Sequence, residues 1–383
     1  MIVGDNSQRR GASAPFFMEK NQVSLTINGQ TYYGWLSASI SLNLQSFSRS
    51  FSVSLTEKAN EFSQDKIPIK AGDAVVVSIG GDIVLTGYVV KVSDEYSASS
   101  RSITVTGDSK TIDLVDCCVP DGKELSFKNQ TPIEIIRSLC RHYSIGVSAE
   151  VVKTDKINFD IAPEETIKNG LEKLLKANNL LLTANASGSL VLSQVGSGGN
   201  CTTPIVRGVN VLKAKKDVDS SKLFSRYVLL GQGSNALSER PIEDLQLKQI
   251  ASGDGVRYRV KTTIQTGNAV AAQMQARVAL IRDVSKAQSE TLVYTVQGWR
   301  QSDKKLWPIN SYVMVSDSAF GINGRYLIEV VKYSLDSKGM TTELQLRRPE
   351  AFFNTEIASA VEAVKGLVLN KIGDVGSAAW TDK

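Results

Sequence analysis

Two distant stretches of this chain share one pattern of apolar residues, prolines and glycines. In the first, apolar residues alternate over 51–55 and Pro68 lies 13 residues further on; in the second, they alternate over 292–296 and Pro308 lies 12 further on. Alternation is typical of β-strands, but chance does not explain the matched spacings between them. The other matches are Val75-x-Val77-Ser78 with Val313-x-Val315-Ser316, Gly87 and Val89-Val90-Lys91 with Gly324 and Val330-Val331-Lys332, and Ile103-x-Val105 with Leu344-x-Leu346. The sequence therefore predicts two related β-barrels.

The predicted fold is mainly β with an α+β insertion: two related small β-barrel domains and a central α/β module in a multi-domain chain. A chain with two copies of one unit presents six similar units when three chains form a ring, which joins threefold to sixfold symmetry. The predicted divisions are an N-terminal arm at 1–20, a first β-barrel domain at 21–116, the α/β module at 117–200, a second β-barrel domain at 201–350 with a helix at 268–286, and a C-terminal helix and tail at 351–383.

The central module carries signals for two helices. Thr131 and Glu134 form a capping box with proline at the first helical position, and apolar residues then recur at helical spacing. A second helix is predicted to start at Pro163, where acidic residues favour the positive end of the helix dipole. A hairpin is predicted over 180–193, and the glycines of 196–199 mark the end of the module.

Composition is that of an ordinary soluble globular protein. The 383 residues are 42% hydrophobic and 22% charged, with a net charge of +5. No apolar run approaches the ~18 residues of a membrane span, so no direct membrane insertion is expected. No apolar segment follows Arg9 and Arg10 as in a secretory signal, so assembly in a cytoplasm is expected.

Much of the positive charge lies in one stretch between positions 207 and 226. A solvated strand-and-loop face is the simplest interpretation of this basic patch, and a phosphate-binding or partner-binding surface is the alternative. A nucleic-acid binder would use the same residues, although no interleaved aromatic residues support base stacking. The basic residues are Arg207, Lys213, Lys215, Lys216, Lys222 and Arg226.

Metal and cofactor chemistry find little support. The chain has four cysteines without a C-x-x-C pair and one histidine, His142, so a zinc site of Cys and His ligands is not expected. The cysteines are predicted to be reduced and buried. The chain also lacks the G-K-[ST] end of a phosphate-binding loop. We therefore expect no metal and no cofactor.

In their order and spacing, several short motifs resemble the Mu-like baseplate hub proteins of contractile phage tails. The resemblance covers most of the chain, roughly residues 22–350. The motifs are Gly34-Trp35 ahead of a Phe-x-Val-x-Leu strand, Gly72-Asp73 followed by Val-x-Val, Leu85-Thr86-Gly87-Tyr88, the run Thr106-Gly107-Asp108-Ser109-Lys110-Thr111-Ile112-Asp113-Leu114-Val115-Asp116-Cys117, and Gly298-Trp299 followed by Leu306-Trp307-Pro308.

This resemblance implies a structural role. It implies a homotrimeric ring with pseudo-sixfold symmetry that joins the sixfold tail tube, or a tube-initiator protein, to the trimeric central spike and leaves an axial channel. Further implied partners are other baseplate proteins and DNA in transit through the channel. The implied location is the tail baseplate of the virion, assembled in the host bacterial cytoplasm. Related folds are implied for type VI secretion spike proteins, and the hub of a phage-like bacteriocin or type VI-like machine stays open as an alternative.

An enzyme that acts on peptidoglycan is the alternative from another functional class. A glycosidase needs two carboxyl groups across a cleft, one of them with a raised pKa. Glu164 and Glu165 are adjacent and lie at a predicted helix start, where the dipole lowers a carboxyl pKa, and Asp94-Glu95 lies in a predicted turn. Cys140 and His142 are two residues apart on one helix and cannot face each other. No catalytic residue is assigned.

The C-terminal segment is a candidate partner-binding element. A helix is predicted over 355–368 with its apolar residues on one side. This side is expected either to pack on the chain's own barrel or to contact neighbouring subunits or the spike, and Trp380 is a candidate anchor in a partner pocket. The apolar residues are Ile357, Val361, Val364 and Leu367.

Overall fold

The computed structural model describes residues 2–4, 21–58, 68–98, 100–150, 155–178, 180–232, 246–268 and 270–355. They fall into two units. The first holds the described residues of 1–175, 180–215 and 293–346, and the second those of 176–179, 216–292 and 347–383. Strands dominate, with several sheets, which confirms the prediction of a mainly β, multi-domain fold.

The strands in chain order are β1 (Ile2–Gly4), β2 (Val23–Ile27), β3 (Gln30–Tyr33), β4 (Ser37–Asn43), β5 (Ser50–Lys58), β6 (Ala74–Ile79), β7 (Asp82–Tyr96), β8 (Ser100–Ser109), β9 (Ser126–Gln130), β10 (Val147–Ala149), β11 (Ile157–Asp160), β12 (Leu181–Ala184), β13 (Leu190–Ser193), β14 (Ile205–Val206), β15 (Val211–Val218), β16 (Arg226–Gln232), β17 (Gln246–Ser252), β18 (Val260–Asn268), β19 (Glu290–Gln297), β20 (Tyr312–Asp317), β21 (Ile322–Asp336) and β22 (Gly339–Arg347). The α-helices are α1 (Ile112–Asp116), α2 (Pro132–Cys140), α3 (Ile167–Asn178) and α4 (Ala271–Ser289). Short 3-10 helices occupy Arg141–Tyr143, Ser220–Lys222 and Pro349–Phe352.

The sequence repeat is present as a repeated strand order. In the first copy neighbouring strands run β4-β5-β8-β7-β6, and in the second they run β15-β19-β22-β21-β20. The long strands β7 and β21 both have 15 residues. Apolar residues alternate along the strands of both copies because one face of each strand covers a core. Fully buried examples are Val53 of β5 and Val105 of β8 in the first copy, and Tyr294 of β19 and Leu344 of β22 in the second.

The two copies belong to one sheet. Strand β4 of the first copy also pairs antiparallel with β21 of the second, so a 14-stranded sheet runs through both. The predicted boundaries of the two barrel domains stay predictions. The strand pairing adds a fact that they did not include, because hydrogen bonds join the copies edge to edge.

The central module is confirmed as helices with small sheets around a core of its own. The capping box at Thr131 and Glu134 is formed, and the buried side of α2 packs in a cluster with that of α3. Helix α3 begins at Ile167, four residues after the predicted start at Pro163. The reason is tertiary: Thr166 forms a β-bridge with Cys118, which holds the preceding segment out of the helix.

The described core of the second unit is a three-stranded sheet covered by α4. Strand β16 pairs antiparallel with β17 and parallel with β18, and Met274, Val278 and Ile281 of α4 pack against them. The helix predicted over 268–286 instead spans Ala271–Ser289. Its start is later because Asn268 still pairs with Gln232 in the sheet. No helix in the described residues is long and apolar enough to cross a membrane.

Candidate assembly surface

Strands β4 and β21 form the contact between the two copies of the repeat, which we call the internal seam. Six residue pairs form it, from Val330 opposite Asn43 to Leu335 opposite Ala38. Leu42 and Val331 lie opposite each other and are 6% and 0% exposed. The internal seam therefore combines a hydrogen-bonded ladder with burial of apolar side chains, the two terms that stabilise paired strands.

Side chains beside the seam strengthen it. The carboxylate of Glu329 on β21 is buried and accepts hydrogen bonds of 2.8 Å from the amide groups of Gln45 and Gln345. Arg300 donates to the carboxylate of Asp82 at 2.6 Å and to the carbonyl oxygen of Ile79 at 3.1 Å. Both sets link the second copy to the first. Sequence analysis missed them because single polar residues far apart in the chain leave no periodic signal.

Strand β7 has an open edge. Strand β6 pairs with β7 as far as Tyr88, and the backbone at Gly72 and Asp73 continues this contact to Val89. Over 91–96, β7 pairs with β8 on one side, and no described strand pairs with its other side. In the second copy, the corresponding part of β21 is the part that pairs with β4. The first copy thus lacks the neighbour that the second copy has.

Strand β15 has the complementary open edge. It pairs with β19 on one side and ends the strand order of the large sheet on the other, as far as the described strands show. Its position in the repeat is that of β4, which lies between two strands. Burial reflects the difference: Leu42 on β4 is 6% exposed, whereas Val218 on β15 is 57% exposed.

The face of the large sheet that points away from the core carries short hydroxyl side chains. Ser39 of β4 lies opposite Ser52 of β5, and Ser52 lies opposite Thr106 of β8. All three are partly exposed. Beside them the hydroxyl oxygens of Ser37 and Ser54 lie 2.5 Å apart. This hydroxyl face is neutral at these positions of β4, β5 and β8, and two exposed lysines lie beside it on the neighbouring strands: Lys332 of β21 opposite Ser41 and Lys91 of β7 opposite Thr106.

The predicted basic patch is divided between the two units. Arg207, Lys213 and Lys215 belong to the first unit, and Lys216, Lys222 and Arg226 to the second. Five of the six are exposed, and Lys216 forms an ion pair of 3.0 Å with Glu290. Three of them, Lys213, Lys215 and Lys216, lie on the open strand β15. Binding of phosphate or of a partner by the patch stays a prediction.

The residues considered for catalysis have structural partners. Glu165 forms an ion pair of 2.7 Å with Lys173. Two hydrogen bonds from Arg101 lower the pKa of Asp94, the opposite of what a general acid requires. Partial burial and the charge of Arg141 lower the pKa of His142. Within the described residues, no three His, Cys, Asp or Glu side chains come together as a metal site.

The four thiols are free, as predicted, but differ in burial. Cys140 is fully buried, and burial raises its pKa to about 12. Burial, together with the charge of Asp303, also raises the pKa of Cys201 to about 12. Cys117, Cys118 and Cys201 are partly exposed, so the prediction that all four are buried was wrong for three of them. Cys117 is the C-cap residue of α1, Cys118 forms a β-bridge with Thr166, and Cys201 lies in the segment before β14, so none of the three lies on the buried face of a named strand or helix.

The candidate partner-binding residues of the C-terminal segment lie outside the described residues. They are Ile357, Val361, Val364, Leu367 and Trp380, and the predicted helix over 355–368 falls there with them. Their role stays a prediction.

Comparison with known proteins finds three domains of phage baseplate proteins along the chain. Residues 22–109 match the N-terminal domain of the Mu phage baseplate assembly protein GpP-like family, and 111–194 match the second domain of the gp44-like baseplate hub proteins. Residues 270–355 match the fourth domain of the Mu phage baseplate assembly protein GpP. These matches follow one another along the chain in domain order.

Whole-chain relatives lead to the same family. The chain is 30% identical to the baseplate hub protein gp44 of Escherichia phage Mu over 87% of this chain and 89% of that protein. A 43 kDa tail protein of prophage MuSo2 from Shewanella oneidensis is 29% identical, with a TM-score of 0.75 over 86% of this chain and 99% of that one. A type VI secretion component from E. coli, 11% identical, shares the fold with a TM-score of 0.50 over 84% and 76% of the two chains. This chain belongs to the Mu-like family of phage tail baseplate hub proteins, and is a component of the virion.

Proposed function

We propose that this baseplate hub protein forms a homotrimeric ring with pseudo-sixfold symmetry. The observation that carries the proposal is the internal seam, in which one copy of the repeat joins the other edge to edge. A contact between two different surfaces generates a closed ring when its rotation closes. Three chains supply six copies, so a trimer of this chain meets a sixfold partner and a threefold partner with one set of subunits.

The ring joins the tail tube, or a tube-initiator protein, on one side to the trimeric central spike on the other, and contacts further baseplate proteins. The relationship to hub proteins supports this placement, as does the shared fold with a type VI secretion component whose published description notes similarity to the T4 tail proteins gp27 and gp5. The C-terminal segment, 351–383, contributes to spike binding.

The axial channel is lined by the hydroxyl face. In a ring built from one continuing sheet, one face of the sheet covers the cores and the other faces the axis. Here the second face carries serine and threonine, for example at Ser39, Ser52 and Thr106. The short neutral side chains of β4, β5 and β8 separate Lys91 of β7 from Lys332 of β21, so this part of the face offers phosphates single lysines and not a continuous positive array, and DNA passes through in transit without stable binding.

Absolute mass measured by light scattering after gel filtration tests the ring. With a chain of 41.5 kDa, a trimer has a mass of 124.5 kDa, and we expect that mass to persist on dilution. A mass of 41.5 kDa at every concentration, with the spike protein added and without it, contradicts the proposal. Removal of 356–383 keeps the buried Ala351 and Phe353 and the carbonyl oxygen of Thr355 that accepts from Arg277, so it is expected to leave the described fold intact and to weaken capture of the spike protein. Unchanged capture contradicts a role for this segment.

The role is structural and not enzymatic. The relatives are baseplate hub proteins, and two of the carboxylates considered for catalysis, Glu165 and Asp94, have cationic partners in the described structure. Incubation of the purified trimer with peptidoglycan is expected to release no soluble glycan. Release that survives purification to homogeneity would establish the competing function, a tail-associated peptidoglycan-acting enzyme.

Assembly takes place in the host bacterial cytoplasm, before the tail joins the virion. The family relationship supports an infective or prophage-encoded tail over a bacteriocin or a type VI-like machine. Electron microscopy of particles from an induced host strain tests this, since a bacteriocin is a tail without a DNA-filled head.

A further inference from the structure

We propose that the open edge of β15 pairs antiparallel with the open edge of β7 in a second copy of this chain, in the register that β4 and β21 use within the chain. The inference rests on the proposed trimer and identifies the surface by which its chains join. Each chain carries both halves of this outer seam, β15 at one end of the strand order of its large sheet and the part of β7 that extends beyond β6, so the contact propagates from chain to chain.

The register on β7 follows from the hairpin turns. Strand β21 ends at Asp336 and β22 begins at Gly339, with two residues between them. In the first copy Ser97 donates its N–H to the carbonyl oxygen of Ser100 at 2.7 Å, again with two residues between. Aligning the two turns places 91–96 of β7 on 330–335 of β21, the six residues that pair with β4. The ladders with β6 and β20 give the same alignment, because Val75 lies opposite Gly87 and the matching Val313 lies opposite Tyr326. The sequence match of 89–91 with 330–332 was therefore wrong by two residues.

The register on β15 follows from its ladder with β19. The N–H of Asp219 donates to the carbonyl oxygen of Ser289 at 2.8 Å, so the end of β15 meets the start of β19. Counting back along this antiparallel ladder sets Ala214 opposite Tyr294. In the first copy Ala38 lies opposite Val53, the residue of β5 that matches Tyr294 in the repeat. Ala214 therefore stands in the position of Ala38.

When β15 pairs with β7 of a second copy in the register of β4 and β21, residues of matching chemistry lie opposite each other. Three of the six pairs join opposite charges, one joins two valines, and no pair joins like charges. In one of the charged pairs, Lys216 and Asp94 also have ion-pair partners within their own chains, Glu290 and Arg101. The pairs, with the residue of β7 in the second copy given last, are Asp219 with Lys91, Val218 with Val92, Asp217 with Ser93, Lys216 with Asp94, Lys215 with Glu95 and Ala214 with Tyr96. Complementary charge of this kind sets partner and register in strand pairing.

The exposure of the two edges agrees with a missing neighbour. Val218 is 57% exposed and Tyr96 is 81% exposed, whereas Leu42 and Val331 in the internal seam are buried. Open strand edges invite unspecific pairing, and charged side chains on them discourage it. The lysines of β15 and the carboxylates of β7 reject a strand with the same charge and accept each other.

Disulfide trapping tests the register. Directly opposite residues on antiparallel strands have Cα atoms about 4.5–5.5 Å apart, within the range that a disulfide spans. The variant with Lys215→Cys and Glu95→Cys is expected to give, on mild oxidation, a covalent trimer of 124.5 kDa on a non-reducing gel. The matched control combines Glu95→Cys with Lys213→Cys, two residues along the same face of β15, and is expected to give no such band. Each single variant controls for the natural thiols.

Charge exchange provides a second readout. Lys215→Glu or Glu95→Lys alone is expected to raise the concentration at which the trimer dissociates at least tenfold, and the two together are expected to restore it. Circular dichroism verifies that each variant folds. A stable trimer without the specific disulfide and without rescue overturns the strand pairing and leaves the trimer standing. A monomer under all conditions overturns both.

Discussion

Two Leu→Ala variants, one in the internal seam and one at the surface, measure how much a buried leucine of the seam contributes to the free energy of unfolding. Leu42 on β4 is 6% exposed, and Leu36, just before β4, is 57% exposed. Leu42→Ala removes three buried carbon atoms, worth about 2.4 kcal/mol at ~0.8 kcal/mol each, and the cavity left behind brings the expected loss to about 3 kcal/mol. Leu36→Ala is expected to cost less than about 1 kcal/mol, because most of that side chain already meets solvent.

Urea unfolding followed by tryptophan fluorescence measures both variants. Trp35, Trp299 and Trp307 are buried in the first unit, the unit that contains the internal seam, and therefore report its unfolding. With a denaturant slope of about 2–3 kcal/mol/M, the midpoint of Leu42→Ala is expected to fall by about 1 M or more, and that of Leu36→Ala by less than half as much. Equal shifts for the two variants would refute the burial of β4 between β5 and β21.

Three further predictions follow from single groups. Tyr333→Phe removes the hydroxyl that donates a hydrogen bond of 2.5 Å to the buried backbone oxygen of Trp307. The variant is expected to lower the free energy of unfolding in urea by about 1–3 kcal/mol, and no change would mean that water replaces the bond. Cys140, fully buried and with its pKa raised to about 12, is expected to stay unlabelled by a thiol reagent at pH 8 until the protein unfolds, and Cys201, partly exposed but with its pKa also raised to about 12, is expected to be labelled slowly; rapid labelling of both in the native protein contradicts these pKa values. Hydrogen bonds from the capping box lower the pKa of Glu134. The stability that Glu134 contributes is therefore present above its unfolded pKa and is lost as the pH falls through its lower folded pKa. Glu134→Gln is expected to remove this part of the pH dependence of unfolding, and an unchanged pH profile contradicts it.

The mainly β fold, the repeat and the central module could be predicted from local pattern. Alternation marks strands because one face of a sheet is buried, and the capping box at Thr131 marks a helix start because unpaired backbone N–H groups need acceptors there. The start of α3 was wrong by four residues and the start of α4 by three, since in both cases a β-bridge or ladder to a distant strand holds the residues concerned. Helix signals along the chain carry no information about such pairings.

The sequence by itself determined that this chain holds two copies of one β unit around an α/β module, because spacing between strands and turns is written locally. Only the tertiary structure decided that β4 pairs with β21, that Glu329 is buried between Gln45 and Gln345, and that β7 and β15 are left with open edges. Strands pair edge to edge through backbone N–H and C=O groups, which nearly every residue carries. The side-chain pattern of one strand therefore does not reveal which other strand it pairs with. Once the fold shows which parts of β7 and β15 have open edges, the charges on these two strands can be recognised as complementary.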